Sequence, residues 1–156
     1  MGTLNDTALG NDNSSGTVLA TDDALNVTAG DLVYVAAKWE SSNGATPSFD
    51  TGPSTPSFSV ACALVDSTAT DMHSATAYWI ADADGTVTPR LVLDSARSYR
   101  ALKAFSVTPA SGKTWSLGNV ASNASISGGS SNAPSSGAAA ATGPGVAFGS
   151  FGIYSS

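Results

Sequence analysis

The chain has 156 residues, a formal net charge of −6 and a sequence pI near 4.3. Ala, Ser, Gly and Thr together make up 83 residues, and charged residues only 12%, against roughly 25% in an average soluble domain. So few charges exclude a coiled coil and a charge-driven disordered tail. Six basic residues are too few for a nucleic-acid partner or for an anionic membrane surface. No run of about 20 apolar residues is present to span a bilayer.

The opening, Met1-Gly2-Thr3-Leu4-Asn5-Asp6, lacks the basic and apolar regions of a signal peptide. Residues 1–16 read as a polar, acidic N-terminal arm, and 17–156 as one domain. Short apolar runs of period two then follow one another, separated by turn residues. Thr17–Ala20 and Leu25–Thr28 are short strand candidates, and Ala29-Gly30-Asp31 is a turn. From Leu32 to Glu40 the alternation puts Val33, Val35, Ala37 and Trp39 inward and Lys38 and Glu40 outward. Residues 41–56, rich in Ser, Thr and Pro, predict a long loop or irregular edge.

Phe58 to Val65 predicts a core strand carrying the only cysteine, Cys62, as a small core thiol. Ser67 to Met72 is a connection with room for one helical turn. Ser74 to Ala81 is the next strand, with Tyr78 and Trp79 on opposite faces. Asp84-Gly85 predicts a tight hairpin turn, with Thr86–Leu93 returning as its partner. Pro89 marks that partner as an edge strand or a bulge. Asp94 to Ser98 turns, Tyr99–Val107 is another strand, and Trp115–Val120 and Val146–Tyr154 are the last two. Eight to ten strands at this spacing, with almost no helix, predict an all-β antiparallel sandwich of jelly-roll type.

The residues offer no catalytic constellation. His73, the only histidine, has Asp71 nearby, but no Gly-x-Ser-x-Gly elbow exists to complete a hydrolase. Asp82-Ala83-Asp84-Gly85 echoes a calcium loop, yet Leu93 stands where an EF-hand needs its last carboxylate. No cofactor, metal or enzymatic role is expected. Trp39, Trp79 and Trp115 could in principle stack on sugars, but Trp39 falls on an inward face.

Two features point to contacts with other chains. Residues 114–156 carry no formal charge, and Ala121–Gly145 is almost wholly small and neutral, with Ala138, Ala139 and Ala140 at its centre. Such a segment suits close packing against a neighbour. Charge is also segregated. Asp6, Asp12, Asp22, Asp23 and Asp31 fall in residues 1–31, while Arg90, Arg97, Arg100, Lys103 and Lys113 fall in 90–113. These groups are either two solvated edges or complementary docking surfaces between subunits.

Leu25-Asn26-Val27-Thr28-Ala29-Gly30-Asp31-Leu32-Val33-Tyr34-Val35-Ala36-Ala37-Lys38-Trp39-Glu40 resembles the opening of β-sandwich modules in phage virion proteins and some bacterial surface proteins. Ala75–Thr88 resembles their central hairpin, and Ala104-Phe105-Ser106 a following strand. The resemblance covers roughly residues 17–110 and brings no catalytic residues. It implies a non-enzymatic structural protein of a virus particle, first of all a capsid decoration or cement protein. Its partners would be capsid or other virion proteins and further copies of itself. A tail or fibre component, and a carbohydrate-binding module of a surface or secreted protein, are the alternatives.

Overall fold

The structure is a computed structural model that describes residues 2–40, 45–52, 67–68 and 72–116. The described residues form ten strands and no helix. In chain order these are β1 (Thr3–Asp12), β2 (Gly16–Ala20), β3 (Leu25–Val27), β4 (Leu32–Glu40), β5 (Pro47–Asp50), β6 (Ser67–Thr68), β7 (Met72–Ile80), β8 (Gly85–Val87), β9 (Arg90–Arg97) and β10 (Arg100–Thr108).

The pairing is nested. β1 pairs with β10, β2 with β9, β3 with β8 and β4 with β7, all antiparallel. Strands β1–β4 and β7–β10 therefore run as one long double-stranded ribbon. The ribbon is rolled so that β10 also lies against β4, and β9 against β5. The outcome is a five-stranded sheet of order β1-β10-β4-β7-β6, a three-stranded sheet β2-β9-β5, and the short pair β3-β8. A rolled ribbon with this order has the strand arrangement of a jelly roll, and its all-β class is the one the alternating pattern predicts.

One hydrophobic cluster takes inward residues from all the sheets. Val33, Val35, Ala37 and Trp39 of β4 meet Ala75, Ala77 and Trp79 of β7, and Leu102 and Ala104 of β10. Leu19, Phe49, Leu91 and Leu93 come from the three-stranded sheet, and Leu25, Val27 and Val87 from the short pair. Small alanines stand beside the two large indoles in this cluster.

Several expectations change. The segment Thr3–Asp12, set apart from sequence as part of a polar arm, is β1 and pairs along β10. Its polar composition reflects its place at the sheet's edge, where only Ala8 and Gly10 are buried. Asp84-Gly85 is not a hairpin turn. β7 lies in the five-stranded sheet, whereas β8 and β9 pair in the other two, so the chain changes sheets here. Gly85 is not among the glycines of positive φ, which are Gly30, Gly52 and Gly112. The turn is instead tied to residues 28–31. Asp84 Oδ1 accepts the Ala29 N–H at 2.8 Å, Gly30 N donates to Ala81 O at 2.7 Å, and Ala81 N to Asp31 O at 2.8 Å.

Pro89 does not mark an edge strand. It is buried in the break between β8 and β9, and β9 is the centre of its sheet. A proline has no N–H for a ladder, so it sits where the pairing partner changes from β3 to β2. The expected turn at Asp94–Ser98 is shorter than predicted, because β9 continues to Arg97 and the corner falls at Ser98-Tyr99. Tyr99 there holds φ 49°, uncommon for a residue other than glycine. Within the expected loop 41–56, Pro47–Asp50 forms β5, an edge strand with proline at its first position. Trp115 and Ser116 lie outside any strand. The predicted strands at Phe58–Val65 and Val146–Tyr154, together with Cys62, lie outside the described residues.

Candidate interaction surface

The candidate charged residues are mostly spent inside the chain. Asp12 Oδ2 meets Arg100 at 2.6 Å. The Arg100 side chain is only 2% exposed and also donates to Val18 O and Ser14 O. It locks the first turn, 13–15, onto the start of β10. Gly16 lies against it, and a Cβ there would stand 2.8 Å from the guanidinium, which would have to shift. Arg90 makes a bidentate pair with Asp50 across β9 and β5 at 2.6 and 2.7 Å. That fork geometry holds the Asp50 carboxyl below its ordinary pKa and Arg90 above its own.

Asp6 accepts the Asn26 backbone N–H and its side-chain amide, both at 2.8 Å. The backbone bond, above all, lowers the Asp6 pKa. The carboxylate thus stands in for a strand partner between β1 and β3. Asp31 is fully buried, and its Oδ2 accepts from Thr28 N, Asn5 Nδ2 and Ser106 Oγ at 2.9–3.1 Å. Asp94 holds the Thr46 N–H at 3.0 Å. Asp22 and Asp23 are exposed, as are Lys103 and Lys113, while Arg97 is half-buried and donates to Ala96 O. Ala138, Ala139 and Ala140 lie outside the described residues. Of the acids and bases set apart in sequence, Asp12 and Arg100 thus meet across the ribbon, because its two ends pair.

His73 and the tryptophans are core residues or clasps. His73 is buried and stacks on Trp39 with ring centroids 5.6 Å apart. Trp39 and Trp79 are fully buried, so neither presents a face to a sugar. Trp115 donates its indole N–H to Val107 O at 3.1 Å and covers Gly2. No group of three or more His, Cys, Asp or Glu side chains suited to a metal ion occurs among the described residues.

What the sequence reading passed over is the outer face of the five-stranded sheet. Its register lines up side chains in rows across four strands. Leu4, Val107, Leu32 and Ile80 form one row. Thr7, Phe105, Tyr34 and Tyr78 form the next, then Leu9, Lys103, Ala36 and Thr76, and then Asn11, Ala101, Lys38 and Ser74. Leu4, Leu9 and Ile80 are among the most exposed large apolar side chains, at 58%, 54% and 39%. Tyr34 is half-buried, with its hydroxyl bonded to Thr76, and burial raises its pKa. The Lys103 ammonium stands 5.2 Å from the Phe105 ring centroid, within cation–π range. The signal for this face was legible in part. Leu32, Tyr34 and Ala36 alternate with the core residues of β4, but only the register shows that Leu4, Val107 and Ile80 extend the same row. No protein-family model, curated protein or solved structure matches the chain.

Proposed function

We propose that the chain is a structural, non-catalytic accessory protein of a phage particle, and first of all a capsid decoration or cement protein. In this role it lies across joints between shell subunits and adds buried contact area, as one of many copies on the particle. The observation that carries the reading is the nested ribbon pairing, β1 with β10 through β4 with β7. It makes a jelly roll, an architecture used by viral capsid domains. Fold alone does not set function. The resemblance of residues 17–110 to virion modules and the apolar rows of the outer sheet face add to its support.

Quantitative mass spectrometry of purified particles tests it. A decoration protein is expected at a fixed ratio near that of the major shell protein. A few copies per particle would move the role to the tail or fibre, and absence from the particle would overturn the reading. A carbohydrate-binding module is the second reading, favoured by the Tyr34–Tyr78 pair on the outer face. Titration of the isolated chain with glycans decides it, since a module binds sugar without any particle.

A further inference from the structure

We propose that the outer face of the β1-β10-β4-β7 sheet is the docking surface. Its occupant is a protein surface of the virus shell that offers an apolar patch flanked by carboxylates. This rests on the structural reading above and names the side of the chain that binds and the chemistry it binds.

The charge of this face differs from that of the whole chain. Acids outnumber bases twelve to six in the sequence. Arg90 and Arg100 are held by Asp50 and Asp12. Among the described residues, the charges on the outer rows are Lys38 and Lys103, with Glu40 at the end of β4 as the one acid. By its described residues the face is therefore locally cationic on an acidic protein. A second copy, acidic elsewhere but cationic here, would bring like charges together if two such faces met. A partner with carboxylates opposite Lys38 and Lys103 gains instead, and like-charge partners are rejected. Beside the lysines, the exposed Leu4 and Ile80 and the half-buried Leu32, Phe105, Tyr34 and Tyr78 supply apolar area of the kind such interfaces combine with polar groups, while Val107 in the same row is buried.

Size points the same way. Four strands about 4.8 Å apart and some eight residues at about 3.3 Å give a footprint of roughly 400 Å². A stable interface buries about 800 Å² per partner. The described part of the face, by this planar outline, falls short of what an isolated dimer needs. It suits a lattice that presents the same site many times, where each copy is also held by its neighbours. β-Strand addition at the edge of β1 is not the mode. Asp6 and Leu9 O already bind Asn26 and the Asp22 N–H on that edge.

The test uses the full chain and particles assembled without it. Wild type, the double variant Lys38→Glu/Lys103→Glu, the variant Ile80→Lys and the conservative Lys38→Arg/Lys103→Arg are sedimented with particles. Thermal melts confirm that each is folded. The expected result is saturable binding of wild type that weakens with salt. The arginine variant should retain it, and the glutamate variant and Ile80→Lys should each lose at least about tenfold, a change of about 1.4 kcal/mol. Equal binding by the folded glutamate variant and wild type overturns the docking face while leaving the structural role intact. Failure of wild type to bind any particle overturns both. A wild-type dimer in solution that Ile80→Lys dissolves makes a second copy the occupant and overturns the proposed partner. Loss of particle binding on adding a free glycan makes the partner a sugar, with the same consequence.

Discussion

The two sides of β4 follow the same alternation with opposite consequences. Inward, Val33, Val35, Ala37 and Trp39 are all buried against two other sheets. Outward, Leu32, Tyr34, Ala36, Lys38 and Glu40 are half-buried, with Leu9 and Ile80 exposed beside them. Both sides are unusually apolar for one strand, and only the inner one has a partner layer among the described residues. A half-solvated antiparallel sheet normally shows polar residues outside. The difference teaches that one alternating strand can bury one side in the core and leave the other half-buried, the side that the proposed docking uses. Substitutions on the two sides should therefore separate stability from binding.

The largest effect is expected inside. Trp39→Ala removes a fully buried indole and the stacking surface of His73, and should cost about 3–5 kcal/mol in denaturant unfolding. Such a loss could exhaust most of the stability of a domain this size. Val35→Ala, a smaller deletion in the same row, should cost about 1–3 kcal/mol and keep the comparison measurable if Trp39→Ala does not fold.

Next is Asp31, buried beneath the β3–β4 turn. Asp31→Ala strands Thr28 N, Asn5 and Ser106 Oγ without their acceptor. Losing the acceptor of three hydrogen bonds should cost on the order of 2–4 kcal/mol, read from the same unfolding curves. Asp31→Asn keeps one acceptor oxygen and should lose less.

Acid should weaken the fold by a related route. Asp6, Asp12, Asp50 and Asp94 all have pKa values lowered below 3.8 in the folded chain, chiefly by hydrogen bonds from Asn26, Ser14, Arg90 and Thr46 respectively. A depressed folded pKa gives stability that is fully present above the unfolded value. It is lost as pH falls below 3.8 through the lowered values. Melting temperature should thus be flat from neutral pH down to about 5 and then drop. Asp50→Asn should reduce the size of that drop, because Arg90 then has no carboxylate to hold. For this partly exposed pair the effect at neutral pH should be only about 0.2–1 kcal/mol.

The smallest stability effects belong outside. Leu9→Lys and Ile80→Lys should stay within about 0.5 kcal/mol of wild type. If either unfolds the chain, the outer face serves the fold and the contrast between the two sides fails.

The fold class was legible because period-two alternation is a local signal, and β4 was read to its exact ends for that reason. The ribbon's nesting was not legible, since pairing Thr3 with Thr108 joins the two ends of the described fold, and no local pattern records such a contact. The same blindness produced the false hairpin at Asp84-Gly85. That dipeptide favours a tight turn in isolation, but tertiary bonds from Ala29 and to Asp31 claim its surroundings. It also made Asp12 and Arg100 look like separate surface charges when they form one clasp. The apolar outer rows escaped notice because each strand contributes only one or two of their members.

The central claim is that the chain meets the particle through the outer sheet face. Hydroxyl-radical footprinting of the full chain, free and bound to particles, tests it most directly. Binding should protect Leu9, Tyr78 and Ile80 together and leave Val18 and Val92, on the three-stranded sheet, labelled as in the free chain. Protection of Val18 and Val92 with Leu9, Tyr78 and Ile80 unchanged would place the contact on the opposite side and contradict the account.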